Sequence, residues 1–171
     1  MLAQDHLPNF EQTALPHLDA AYNLACWLIR SPAESEEVVQ EACLRALRFD
    51  GFQGKDSRAW FLKIVRNTCH SWIKKNRPTE SFGEPVHSSE IRGIDAEAQV
   101  VSRANSEHVR EALESLAAGF REVLVLREME ELSYKEISDV TGVPMGTVMS
   151  NLSRARQRMH EELCTAVGTG D

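Results

Sequence analysis

Leu132-Ser133-Tyr134-Lys135-Glu136-Ile137 leads through Thr141-Gly142-Val143-Pro144 into Met145-Gly146-Thr147-Val148-Met149-Ser150-Asn151-Leu152-Ser153-Arg154-Ala155-Arg156, and this stretch decides the fold. Ser133 and Glu136 have capping-box spacing, in which each side chain satisfies a free backbone N–H, and Ile137 and Val140 follow on one helical face. Gly142 can take the left-handed conformation that ends a first helix, and Pro144 suits the first turn of a second. In that second helix Val148, Leu152, Ala155 and Met159 recur at inward spacing. Thr147, Ser150, Asn151, Arg154 and Arg158 line the other side. A face that is short and polar, then basic, suits a helix whose N-terminal half meets base edges in a major groove while later arginines hold phosphates. An ordinary helical hairpin with a solvated outer face would share the periodicity. Turn, caps and face together favour a DNA-reading helix-turn-helix.

Working outward, 171 residues with 42% hydrophobic content suffice for packed cores, and few aromatics with long helical periodicities favour an all-α protein. No run approaches the length of a membrane span, and the N-terminus lacks a signal-peptide layout. A cytoplasmic chain that is not membrane-inserted is expected. Cys26, Cys43, Cys69 and Cys164 form no Cys-x-x-Cys pair and read as reduced packing residues. His160 and Cys164 can meet across a helical turn, but two residues do not make a metal site. The formal charge of -7 is unevenly spread. Residues 1–77 carry 10 Lys/Arg against 9 Asp/Glu, residues 78–100 carry 1 against 5, and residues 101–171 carry 8 against 12. Such a chain, with positive charge confined to a stripe, should bind free DNA weakly and need a partner.

Three helices are expected before residue 77. Leu18, Tyr22, Ala25 and Ile29 form an apolar stripe on the first. Ser31-Pro32-Ala33-Glu34 supplies a cap, a first-turn proline and a capping-box acid for the second, which runs to about Arg48. Its inward side carries Val39, Cys43 and Ala46 or Leu47. Its outer side presents Glu36, Glu37, Gln40, Glu41 and Leu44, either a solvated face or a docking surface for a basic partner helix. The third helix spans about Ser57 to Asn76, with Phe61, Ile64, Val65, Thr68 and Trp72 facing a core. Lys63, Arg66, Asn67, His70, Lys74 and Arg77 form one continuous stripe on it. Phe49, Phe52 and Trp60 precede or open this helix, and are either core residues or a stacking surface for single-stranded bases. Pro78, Gly83, Pro85 and Gly93 mark a linker. Beyond it, helices are expected over 105–116 and 120–129, broken at Ala117-Ala118-Gly119.

These residues resemble the small, two-domain extracytoplasmic-function (ECF) sigma factors of bacteria, in the sigma-70 family. The resemblance rests on Glu36-Glu37-Val38-Val39-Gln40-Glu41, on Ala59-Trp60-Phe61-Leu62-Lys63-Ile64-Val65-Arg66-Asn67, and on Tyr134 to Ile137 with Gly146 to Arg156. It implies two small all-α domains joined by a flexible linker, the second containing the helix-turn-helix: a region 2 domain over 1–77, an acidic linker over 78–100 and a region 4 domain over 101–171. It further implies that Glu36, Glu37, Gln40, Glu41 and Leu44 dock on the clamp helices of core RNA polymerase. Phe52 and its loop would capture a flipped base of the minus-10 element, while Lys63, Arg66, Asn67, His70 and Lys74 hold the opening duplex. Thr147, Ser150, Asn151, Arg154 and Arg158 would read minus-35 DNA. Core RNA polymerase, promoter DNA and an anti-sigma factor are the implied partners. No cofactor, metal or enzymatic activity is implied.

Two departures from the family pattern stand out. An aspartate common a few residues after the Asn67 position is absent from Cys69-His70-Ser71-Trp72. The usual Gly-Thr-Val-Lys-Ser-Arg is here Gly146-Thr147-Val148-Met149-Ser150-Asn151, two cations fewer, so an unusual upstream element is expected. Asn151 has the donor and acceptor pair that suits adenine edges. A plain helix-turn-helix regulator would leave the acidic row and basic stripe without joint purpose. A sigma-like decoy for an anti-sigma protein would have no need of the stripe or of Arg154, Arg156 and Arg158. An enzyme fits least, for want of a phosphate-binding glycine loop, a metal cluster or a nucleophile arrangement.

Overall fold

The computed structural model describes residues 7–49, 54–77 and 100–168, with no strand among them. A short helix α1 (Leu7–Thr13), not anticipated from the sequence, leads through a 3-10 turn (Leu15–His17) into α2 (Leu18–Ile29) and α3 (Pro32–Arg48). Helix α4 covers Ser57–Asn76, matching expectation. Asp56 caps it by accepting from the Ala59 N–H at 3.0 Å, which satisfies one of the free donors of the first turn. The expected capping box at Ser31 does not form. Ser31 makes no side-chain cap bond, and Glu34 is drawn off by Arg77 across the bundle at 3.5 Å. Ser35 instead donates to the Ser31 carbonyl at 2.7 Å. Ala25, Ile29, Val38, Val39, Ala42, Phe61, Leu62 and Val65 are buried where α2, α3 and α4 meet.

The C-terminal half comprises α5 (Val100–Ser115), α6 (Ala118–Leu124), a π turn (Val125–Met129), α7 (Tyr134–Thr141) and α8 (Met145–Gly168). The expected break is shorter than its sequence, because Ala118 and Gly119 already belong to α6 and only Ala117 caps it. The expected helix over 120–129 widens into the π turn, where the Glu130 N–H reaches the Val125 carbonyl at 3.1 Å. Glu131 then takes a left-handed conformation, φ 55°. The helix-turn-helix forms as read. Ser133 and Glu136 make both bonds of the capping box, and Gly142 closes α7 at φ 76°. Pro144 lies one residue before α8, its carbonyl accepting from Val148 at 3.0 Å. Ile137, Val140, Val148, Leu152 and Ala155 are buried, each larger side chain contributing about 1.5–3 kcal/mol by leaving water.

The two halves are packed against each other. Helix α7 lies beside α4, and α6 beside α2. Linker residues 78–99 and Phe52 lie outside the described residues.

Candidate nucleic-acid interface

On α3 the buried residues Ser35, Val38, Val39, Ala42 and Ala46 take one face. The opposite face leaves Glu36, Glu37, Gln40, Glu41 and Leu44 exposed, so the whole expected docking row is presented together. Glu41 accepts from Arg45 at 3.1 Å, an exposed i,i+4 pair worth about 0.3–0.5 kcal/mol that leaves the row accessible. Phe49 is 54% exposed. Its ring leans on Trp60 with centroids 5.8 Å apart, so Phe49 is not the core residue one of its two readings made it.

Helix α4 turns Lys63, Asn67 and Lys74 to solvent, while Arg66 and His70 are half-buried. Those two point at the C-terminal half. Arg66 Nε donates to Glu122 Oε1 at 2.7 Å, and His70 Nε2 lies 3.4 Å from the same oxygen. Burial alone would raise the Glu122 carboxyl, but the His70 hydrogen bond and the Arg66 charge outweigh it and hold it below the usual carboxylate range. The pattern repeats at the start of α4. Arg58 donates to Glu130 at 3.0 Å, and Asn23 of α2 donates to the other oxygen at 2.7 Å. Arg121 is itself buried. It caps the end of α5 by donating to the Leu113, Glu114 and Leu116 carbonyls, and it spans the seam to the Trp27 carbonyl at 3.2 Å. Burial, with Arg30 nearby, lowers its pKa to about 10, so it stays charged at neutral pH.

Sequence reading missed Glu122, Glu130, Arg58, Asn23 and Arg121 as partners across this seam. One signal was available, since Arg121 and Glu122 interrupt the run from Phe120 to Leu126 and a charged pair inside an apolar run must find partners.

On α8, Thr147, Ser150, Arg154 and Arg158 are exposed and Asn151 is half-buried. Asn151 lines a cavity of about 310 Å³ together with Arg66, His70 and Glu122, so it faces the stripe on α4 while its neighbours face outward. Met145 and Met149 are 43% and 47% exposed, leaving the first turns of α8 without a cation. Arg156 pairs with Glu128 at 2.6 Å, and that hydrogen bond, with one it donates to the Tyr134 hydroxyl oxygen, raises its pKa. Buried Cys69 is pushed up to about 12 by burial, which makes it inert packing as expected. Cys164 is exposed, and its Sγ lies 3.6 Å from His160. No group of three metal-ligating side chains occurs among the described residues, and no described helix is long and apolar enough to cross a membrane.

Comparison with known proteins agrees with this layout. The Sigma-70 region 2 model matches residues 14–79, and the Sigma-70, region 4 model matches residues 106–159. The ECF RNA polymerase sigma-E factor of Escherichia coli (strain K12) is 30% identical over 138 residues, covering 74% of this chain and 72% of that protein. ECF RNA polymerase sigma factor SigW of Bacillus subtilis (strain 168) is 28% identical over 156 residues, covering 85% and 83%. SigE of Mycolicibacterium smegmatis is 27% identical over 164 residues; the match takes in 94% of this chain but 63% of that protein's length. Among solved structures, the sigma factor RpoE of Bartonella quintana, in complex with the anti-sigma factor NepR, superposes with a TM-score of 0.67 at 25% identity over 91% of this chain and 96% of that one. CnrH, in complex with the cytosolic domain of CnrY, shares the fold with a TM-score of 0.66 at 22% identity, over 91% and 88%. With both regional models matched in order and a relative of this identity aligned over most of its length, the chain belongs to the ECF group of sigma-70 family sigma factors.

Proposed function

We propose that this chain is an alternative sigma factor that binds core RNA polymerase and directs promoter-specific transcription initiation. The carrying observation is the presentation of three faces on one chain: an exposed acidic row on α3, a basic stripe on α4 and a formed helix-turn-helix on α7 and α8. Glu36, Glu37, Gln40, Glu41 and Leu44 dock on the polymerase. Phe52 with Lys63, Arg66, Asn67, His70 and Lys74 engages minus-10 DNA, where captured bases must offset a few kcal/mol of lost stacking each. Thr147, Ser150, Asn151, Arg154 and Arg158 engage minus-35 DNA. Residues 1–77 and 101–171 act as the two working domains, with 78–100 as the connection. The chain works in the cytoplasm, and an anti-sigma protein restrains it, in keeping with the complex of RpoE with the anti-sigma factor NepR.

Run-off transcription on fragmented genomic DNA with purified core polymerase tests this. Discrete transcripts should require the intact chain and disappear with Glu37→Lys combined with Gln40→Ala. A chain that neither binds core polymerase nor initiates with it overturns the reading.

A further inference from the structure

Among the described residues, the buried acidic side chains are Glu122 and Glu130, 3% and 7% exposed. Both belong to the C-terminal half, and both are satisfied by groups of the N-terminal half: Arg66 and His70 on one, Arg58 and Asn23 on the other. Their burial therefore exists only while the halves are together. Arg66 meets Glu122 with a fork, Nε at 2.7 Å from one oxygen and Nη2 at 3.5 Å from the other. That is the arrangement in which a guanidinium also grips a phosphate. The seam thus places a carboxylate where the stripe would otherwise take a promoter phosphate.

We propose that the chain shuts itself through these two carboxylates: Glu122 and Glu130 occupy Arg66 and Arg58, and nucleic-acid phosphates must displace them before these two arginines can join the exposed Lys63 and Lys74 in binding. The inference rests on the sigma-factor reading for the role of the stripe. The physics favours a latch over a permanent weld. In a buried ion pair the desolvation of the charges nearly cancels their attraction, so such a seam is close to balance and a ligand of the open state can tip it. Closure covers Asn151 as well, since it lines the same cavity as Arg66 and His70. It leaves the α3 row uncovered, for Glu36, Glu37, Gln40 and Glu41 are exposed in the closed chain. Polymerase can therefore dock before the DNA-binding stripe is released. The free chain is kept from scattered DNA while it stays available to polymerase.

Small-angle scattering of the full-length free chain, paired with anisotropy of fluorescein-labelled oligothymidylate, tests the latch. Closed, the chain should show a radius of gyration near the ~16 Å of a compact protein of its length. Glu122→Gln with Glu130→Gln should expand it and tighten oligothymidylate binding. If nine chains in ten are closed, the gain is about ten-fold. Arg66→Gln should expand the chain in part but weaken oligothymidylate binding, because it removes a phosphate ligand along with one contact of the latch. This opposite response separates competition from simple loosening. Circular dichroism checks that each variant keeps its helices; should the glutamate pair fail to fold, Arg58→Gln releases the second contact from its more exposed side and should expand the chain in part. A wild-type chain already expanded, a folded glutamate variant that stays compact, or an expanded one with unchanged oligothymidylate affinity overturns the proposal. Transcription with core polymerase reports separately on the sigma reading, so a chain that latches but never initiates would sink that reading alone.

Discussion

Helices α4 and α8 both offer nucleic acid a polar and basic face, yet they do so in opposite states. On α4 the central cation is spent on Glu122, and a second at its start on Glu130. On α8 Thr147, Ser150, Arg154 and Arg158 stand open to solvent, but the helix carries no cation before Arg154. One face has charge that must be freed, and the other has freedom with little charge. Weak DNA binding by the isolated chain is the expected outcome of both, for different reasons, and a polymerase that positions the two faces together would remedy both.

The largest effect that would break this contrast comes from the open side. Leu152 is 1% exposed beneath α8, and Leu152→Ala should cost about 2–5 kcal/mol. Thermal unfolding followed by circular dichroism should show the loss. If α4 acts on its own, oligothymidylate binding should survive in the part of the chain that stays folded. Acid probes the closed side next. Glu122 has its carboxyl held down in the closed chain, facing Arg66 and His70 with Cys69 nearby. Its stabilisation is therefore complete above the ordinary value of 4.5 and is lost as pH falls through the lowered one. Scattering across an acid titration should find the compact form persisting below the usual carboxylate range before it loosens. Expansion that begins above the ordinary carboxylate range would show that Glu122 does not hold the seam.

Smaller changes sharpen the comparison. Ser133→Ala removes one bond of the capping box and should lower stability by about 1 kcal/mol, read as a shift in the denaturation midpoint with unchanged slope. Met149→Lys restores a cation to the open face without touching the seam. The slope of log affinity against log salt for duplex DNA should steepen by about one, with the radius of gyration unchanged. No change in slope would mean that this turn of α8 does not approach phosphate.

The helix α7 and its turn at 133–144 were legible because their residues act on their own backbone: Ser133, Glu136 and Gly142 each perform a local task that needs no distant partner. The same held for the extent of α4 and for the exposed row on α3, where periodicity alone separates inside from outside. Ser31 shows the limit of that logic. It has the spacing of a cap, but Glu34 found a better partner in Arg77, 43 residues away. The π turn was equally invisible, since a one-residue widening leaves the apolar pattern of Val123 to Leu126 intact while redirecting Glu130 toward Arg58 and Asn23.

By itself the sequence determined an all-α chain with a helix-turn-helix, an acidic row and a basic stripe, because capping, turn geometry and 3.6-residue periodicity are properties of neighbours along the backbone. Only the tertiary structure decided which of those charges are available. Whether Arg66 meets a phosphate or Glu122 depends on how two halves of the chain pack, and a carboxylate 56 residues distant leaves no periodic trace in the segment it neutralises.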